Sequence, residues 1–233
     1  MADPSLAAVI GANRGIGLGV VKEFLAHGWS VIATARKPDA ASELLALGAT
    51  NPGRLEIQPL DMTNPSQLDA FAAAMAGRKL DAVLVNAGIP GPDHMSASQA
   101  TAAEIGTLMF TNAVAPIRLA RALAGSVREK TGVLAFTSSI MGSVALNADG
   151  YHELYRASKA ALNSLSRGLW AEVKGRGVTL LTLHPGWVRT DMGGPSAPVG
   201  VDESAHGLVA VIERERGKHH HAFIDFTGKD VAW

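Results

Sequence analysis

The chain has 233 residues, 47% of them hydrophobic and 18% charged, with no formal net charge and no cysteine. That length suits one sizeable domain with a well-buried core, and the composition excludes a disordered chain. Balanced charge leaves no footprint for nucleic acid or an anionic membrane surface, and the lack of cysteine removes disulfides, thiolate metal sites and cysteine nucleophiles.

Asp3 and Pro4 precede an apolar run, Leu6 to Ile10, that is too short for a signal peptide, and the first predicted strand, 7–10, lies within it. No stretch is long and apolar enough to span a bilayer, so a cytoplasmic protein without a membrane partner is expected. Gly11-Ala12-Asn13-Arg14-Gly15-Ile16-Gly17 follows that strand and opens a helix near 16–27, with Gly28 placed as its closing glycine. A second strand, 30–35, runs into Arg36-Lys37, and a third is expected at 55–59. Asn64-Pro65-Ser66-Gln67 offers an N-cap, a first-turn proline and a capping-box partner for a helix over 64–76. A fourth strand, 82–85, leads into Asn86-Ala87-Gly88, and Thr101 with Glu104 sets a second capping box for a helix over 102–124. Strand 132–137 runs into Ser138-Ser139, and a helix over 153–174 carries Tyr155 and Lys159. Strand 179–183, helix 202–215 and strand 222–225 complete the pattern. Continuous apolar strands alternating with helices predict a Rossmann-type, doubly wound, mainly parallel seven-stranded sheet with helices on both faces. No linker or repeat interrupts it, so residues 1–233 are expected to form one domain.

The glycine turn allows main-chain N–H groups to approach a pyrophosphate at a helix N-terminus. Its spacing, Gly-x-x-x-Gly-x-Gly, is not the commoner fingerprint. No acid stands at the end of the second strand to meet a ribose hydroxyl. Arg36 and Lys37 stand there instead, with Arg14 expected nearby, and these cations suit a 2′-phosphate, so NADP(H) is preferred over NAD(H). Tyr155 and Lys159, four residues apart, share a helix face. An adjacent ammonium is expected to lower the phenol pKa and fit it for general acid–base work, while a serine hydroxyl stabilises a developing oxyanion. Together these motifs point to hydride transfer between a nicotinamide and a carbonyl.

In these motifs the chain resembles the short-chain dehydrogenase/reductase family over essentially its whole length, and within it the carbonyl-reductase subgroup named for the C-signal and sniffer proteins. Tyr155-Arg156-Ala157-Ser158-Lys159-Ala160-Ala161-Leu162-Asn163, the run His184 to Gly194 and Trp233 carry the closer likeness. The resemblance implies a catalytic tetrad of Asn112, Ser139, Tyr155 and Lys159, with Asn112 holding a relay water and Lys159 also holding the nicotinamide ribose. Of the two serines, Ser139 is chosen for its spacing to Gly142. The implied cofactor set comprises Gly11, Asn13, Arg14, Gly15, Ile16 and Gly17 at the turn, then Arg36, and Asp61 and Met62 beside the adenine. Asn86, Ala87 and Gly88 follow, with Tyr155 and Lys159, and Pro185, Gly186, Val188 and Thr190 lie by the carboxamide. Ser139, Met141, Trp187 and Met192 are expected to line the substrate pocket. Ile10 and Val85 depart from the family's usual Thr and Asn.

The implied activity is NADPH-dependent reduction of a small or medium apolar ketone or aldehyde, reversible as alcohol oxidation; the alternative is an NADP(H)-binding signalling protein with little turnover. A homodimer or homotetramer is anticipated. His152 is read as a loop residue and His219-His220-His221 as surface histidines, so no metal is expected. The loop from Met192 to Gly200 reads as a small mobile lid.

Overall fold

A computed structural model describes residues 4–233. Within them one sheet of seven parallel strands runs in the order β3-β2-β1-β4-β5-β6-β7. The strands are β1 (Leu6–Ile10), β2 (Ser30–Ala35), β3 (Leu55–Pro59), β4 (Ala82–Val85), β5 (Val133–Thr137), β6 (Thr179–His184) and β7 (His221–Asp225). Successive residues of β1 point to opposite faces: Val9 joins Val20, Phe24, Leu208 and Ile212 on one side. Ala8 and Ile10 join Phe71, Leu119, Phe136 and Leu162 on the other. Helices α1 (Gly15–Ala26) and α7 (Val201–Glu215) cover the first face, and α3 (Pro65–Met75), α5 (Ala115–Leu123) and α6 (Glu153–Val173) cover the second.

Local chemistry sets the helix ends. Gly28 donates to the Leu25 carbonyl at 3.1 Å and Trp29 to that of Phe24 at 3.0 Å, a Schellman closure. The Phe24 and Trp29 rings pack with centroids 4.8 Å apart across it. The Thr101–Glu104 capping box forms in both directions at the start of α4 (Ala102–Met109). The box expected at Asn64 forms only in part. Asn64 accepts from the Gln67 N–H at 3.2 Å, but the Gln67 side chain instead accepts from the Asp61 N–H at 2.7 Å.

Two expectations are corrected here. The stretch between β2 and β3 holds a 3₁₀ turn, Pro38–Ala40, and a helix, α2 (Ser42–Thr50), that the sequence reading left out. Only Leu44 of α2 is buried and no side chain caps it, so neither amphipathic spacing nor a cap announces it. The single helix expected over 102–124 is instead α4, a π-helical segment Phe110–Val114, and α5. Residue 116 is proline, so the N–H that would close an ordinary α-turn on the Asn112 carbonyl is missing. Strand order reverses at β1 and β4, and the crevice beyond their carboxyl ends is where a doubly wound sheet binds its ligand.

Candidate active site

The glycine turn leaves β1 at that switch point. Gly11 has φ of +82°, and a Cβ there would sit 2.8 Å from Ala87 Cβ. At Gly17 a Cβ would lie 2.1 Å from the Gly11 carbonyl oxygen, a main-chain atom that cannot yield cheaply. The Asn86 side chain ties this turn to its neighbours, donating to the Gly11 carbonyl at 3.1 Å and accepting from Thr137 Oγ1 at 3.0 Å. Its amide thus holds the cradle in shape. Arg14 occupies the N-cap of α1 without a capping side-chain bond, and no acid sits in the first turn. The helix end therefore keeps its N–H donors and partial positive charge for an anion, which fits a pyrophosphate. Gly17→Ala is expected to abolish measurable NADPH binding in a fluorescence titration; unchanged affinity would show that the cradle tolerates the methyl.

Arg36 and Lys37 lie exposed just beyond β2, with no acid among the last residues of that strand. Arg14 departs from the expected cluster: its guanidinium pairs with Asp191, across the cleft. Asp191 follows Thr190, whose methyl lies 3.4 Å from where a Gly15 Cβ would stand, so the pair spans from the glycine turn to the segment after β6. Asn13 is exposed at the turn and Ile16 partly buried behind it. Past β3, Asp61 Oδ1 accepts from the Thr63 N–H and hydroxyl at 2.9 and 2.6 Å, and Met62 is buried.

At the carboxyl end of β5 the two adjacent serines face different ways. Ser138 is buried and donates to Asn163 Oδ1 at 2.7 Å, a packing role. Ser139 accepts from the Met141 N–H at 3.1 Å, and its hydroxyl stands close enough to the Tyr155 phenol to lower that group's pKa. Lys159 is buried; its Nζ donates to the Thr137 carbonyl at 2.9 Å and lies 5.8 Å from the centre of the Tyr155 ring. Ser139, Tyr155 and Lys159 thus converge at one strand end. The expected depression of the phenol pKa is not what this environment produces. Burial pushes Tyr155 up to about 12, opposed by the Ser139 hydroxyl. Burial likewise lowers Lys159 to about 8, so the ammonium that was to stabilise tyrosinate is itself disfavoured.

Asn112 is fully buried, and its side chain is consumed by structure. Oδ1 accepts from the Ile89 N–H at 2.8 Å, and Nδ2 donates to the Ile89 carbonyl at 2.8 Å and to Ser158 Oγ at 3.0 Å. Both amide hydrogens of Asn112 are thus committed, and its backbone carbonyl is freed of its α-helical partner by Pro116. These bonds pin the loop after Asn86-Ala87-Gly88 to the π segment.

After β6, Pro185 and Val188 are buried while Gly186 and Thr190 are partly exposed. Thr190 Oγ1 accepts from the Gly193 N–H at 3.2 Å, and Trp187 Nε1 donates to the Gly193 carbonyl at 2.7 Å. The segment to Gly200 is laced rather than free. Val188 and Val199 form a parallel bridge, and Arg189 Nη1 donates to the Ala197 and Pro198 carbonyls at 2.9 and 2.6 Å. The other side of the cleft is held by Arg156, which bonds the Tyr151 carbonyl and Asp149 at 2.7 Å each. Six of the nine exposed large hydrophobic residues among the described residues lie on these two segments: Ile140, Val144, Leu146, Tyr151, Trp187 and Met192. They follow the carboxyl ends of neighbouring strands β5 and β6, the side of the sheet that carries Ser139, Tyr155 and Lys159. Met141 is partly buried beside them.

His184, the last residue of β6, entered the sequence analysis only as the start of a run that carries the family likeness, with no role of its own. Its Nδ1 is buried without a hydrogen-bond partner, and burial holds its pKa near 4, opposed by Asp225. It is neutral at ordinary pH, directly before Pro185. His152 is exposed and left-handed at the N-cap of α6. The histidine run is corrected in part. His219 and His220 bond the Lys130 carbonyl and Glu215 at 2.7 and 2.9 Å. His221 instead turns inward to Ser166 and Thr182 at 3.2 Å each, packed on Trp233.

Residues 5–198 match the family model described as short chain dehydrogenase. The C-signal protein of Myxococcus xanthus is 35% identical over 167 residues, covering 70% of this chain and 99% of that protein. A short-chain dehydrogenase/reductase from Burkholderia multivorans, crystallised with bound NADP, superposes with a TM-score of 0.95 at 39% identity over 99% of this chain and all of the other. A carbonyl reductase from Pseudomonas aeruginosa in complex with NADP gives 0.92 at 42% identity, again over 99% of this chain and all of the other. The carbonyl reductase Sniffer of Drosophila melanogaster gives 0.86 at 31% identity over the full length of both. A cradle shaped for a dinucleotide and a tyrosine, serine and lysine at one strand end are therefore those of an NAD(P)-dependent oxidoreductase, and the chain belongs to the short-chain dehydrogenase family.

Proposed function

We propose that the protein is an NADPH-dependent carbonyl reductase acting reversibly on small or medium apolar ketones and aldehydes. The observation that carries this reading is the convergence of Ser139, Tyr155 and Lys159 beneath a rim of exposed apolar side chains. Bound NADPH supplies the hydride that adds to the carbonyl carbon. Tyr155 gives its phenolic proton to the carbonyl oxygen as the C=O bond becomes C–O–H. Ser139 steadies the charge developing on that oxygen. Lys159, near 8, is poised to return a proton to the tyrosine at neutral pH through water held at the Asn112 carbonyl. Apolar side chains flanking the cleft gain most from desolvating an alkyl or aryl substituent, about 25 cal/mol per Å² buried.

Following NADPH consumption across aromatic, aliphatic and polyhydroxylated carbonyls tests the reading. Turnover is expected on the apolar members. Tight NADPH binding with no turnover on any would favour the second reading, a cofactor-binding signalling protein, which the likeness to C-signal motivates.

The preference for NADPH rests on Arg36, exposed beyond β2 with no acid beside it on the strand. Arg36→Asp removes charge-assisted hydrogen bonds worth about 1.5–3 kcal/mol. The kcat/KM ratio of NADPH over NADH is therefore expected to fall ~10–100-fold. Equal kcat/KM for the two cofactors in the unaltered protein would contradict it.

A further inference from the structure

Away from the cleft, α1 and α7 lie side by side, and their facing turns bring together Glu23, His27 and His206. Glu23 lies in the last turn of α1 and His27, four residues on, is the residue that caps its end, so the two side chains meet. His206 meets them from α7. His27 Nε2 is 3.1 Å from Glu23 Oε1, His206 Nδ1 is 2.7 Å from the same oxygen, and the three ligand atoms lie within 4.8 Å of one another.

We propose that these three side chains bind a divalent transition-metal ion, zinc being the best match, which clips α1 to α7. Two imidazoles and one carboxylate suit such an ion, and a three-residue set leaves a fourth position for water. Bonds near 2.1 Å in tetrahedral geometry set donor atoms about 3.4 Å apart, so His27 and His206 have to draw back from the Glu23 oxygen, now 3.1 and 2.7 Å away, by about 0.3 and 0.7 Å, and the two imidazole nitrogens, within 4.8 Å of each other, settle to the same span.

The outer residues fit as well. His27 Nδ1 is 3.0 Å from Glu213 Oε2, the carboxylate partner that orients a ligating imidazole. Glu213 is itself fixed by the Trp29 indole, whose Nε1 donates to Oε1 at 2.8 Å. An ion at Nε2 of His27 replaces a proton there and keeps the Nδ1–H on Glu213. The side chain of His206 is 68% exposed, leaving an open approach from solvent. None of the four side chains belongs to the proposed catalytic or cofactor sets, and no metal was expected from the sequence. The histidines lie 179 positions apart in the chain and only the packing of α7 on α1 unites them.

The test uses the full chain, stripped with chelator and titrated with zinc chloride by calorimetry, with thermal unfolding in parallel. One ion per chain is expected, with a rise in Tm of several degrees. His206→Ala, a change at an exposed side chain, should weaken binding at least tenfold and remove the Tm rise while leaving carbonyl reduction intact. Glu213→Gln should weaken binding ~10–100-fold if it orients His27. His219→Gln with His220→Gln serves as the control and should bind zinc as the unaltered chain does. No stoichiometric uptake by the unaltered chain, binding that survives in His206→Ala, or binding lost only in the control variant would each overturn the assignment.

Discussion

Tyr155→Phe is expected to lower kcat/KM for carbonyl reduction about 10²- to 10⁴-fold, the usual worth of a positioned general acid. NADPH affinity should stay within a few-fold, because the ring still packs and only the hydroxyl is removed. Thermal stability should change little, since the ring stays packed and a single hydroxyl's net hydrogen bonding is worth about 1 kcal/mol. The two reaction directions should also part with pH. Burial pushes the Tyr155 phenol up to about 12, so it keeps its proton throughout the neutral range. Reduction needs that proton and should draw no acid–base limb from Tyr155 below strongly alkaline pH. Oxidation needs the phenolate, so its rate should climb with pH over the same range. Both dependences are measurable as pH–rate profiles with a ketone and its alcohol. Near-full activity in Tyr155→Phe would remove the residue from the chemistry. A reduction rate that fell between neutral pH and pH about 9 as the phenol titrated would show that burial does not dominate its environment.

How much of this could be read beforehand depended on whether each feature rests on local or distant neighbours. The five inner strands were legible as largely buried apolar runs and the edge strands β3 and β7 as partly buried ones, and α1 because Gly28 closes it as its position suggests. Helix α2 was not, because it buries one side chain and has no cap. The break at Phe110–Val114 hinges on Pro116, visible in the sequence but read through as ordinary helix. The glycine turn and the Tyr155–Lys159 spacing were legible because they are short-range patterns on one element. The roles of Asn86 and Asn112 were not, since their partners are Gly11, Thr137, Ile89 and Ser158. Burial explains the largest misjudgement. Spacing put an ammonium near a phenol, but could not show that burial raises the phenol's pKa and lowers the lysine's. Arg14 shows the same limit, because Asp191 lies 177 residues away in sequence.

Lys159→Met should cost activity and raise stability together. The side chain is buried, with the Thr137 carbonyl as its hydrogen-bond acceptor, and burial lowers its pKa from 10.5 to about 8. A lysine whose folded-state pKa lies below its unfolded value opposes folding while it is charged. Between about 8 and 10.5 the unfolded chain binds more protons than the folded one, so this group makes the unaltered protein more stable as pH rises through that window. Below about 8 the full penalty applies, on the order of 3 kcal/mol. Methionine fills a similar volume without charge but leaves the Thr137 carbonyl without its donor, which costs about 1 kcal/mol. The net gain at neutral pH is roughly 1–2 kcal/mol, or a Tm rise of about 2–8 °C for a chain of this length. That advantage should shrink steadily as pH is raised from about 8 towards 10.5, because methionine lacks the proton-linked gain. At the same time kcat/KM for reduction should fall about 10²-fold or more and NADPH should bind more weakly, since the proton donor to Tyr155 and the proposed ribose contact are both gone. Thermal melts and NADPH titrations from neutral to alkaline pH decide it. A variant that kept its activity, or whose Tm advantage did not vary with pH, would mean that Lys159 is neither a strained buried cation nor part of the reaction.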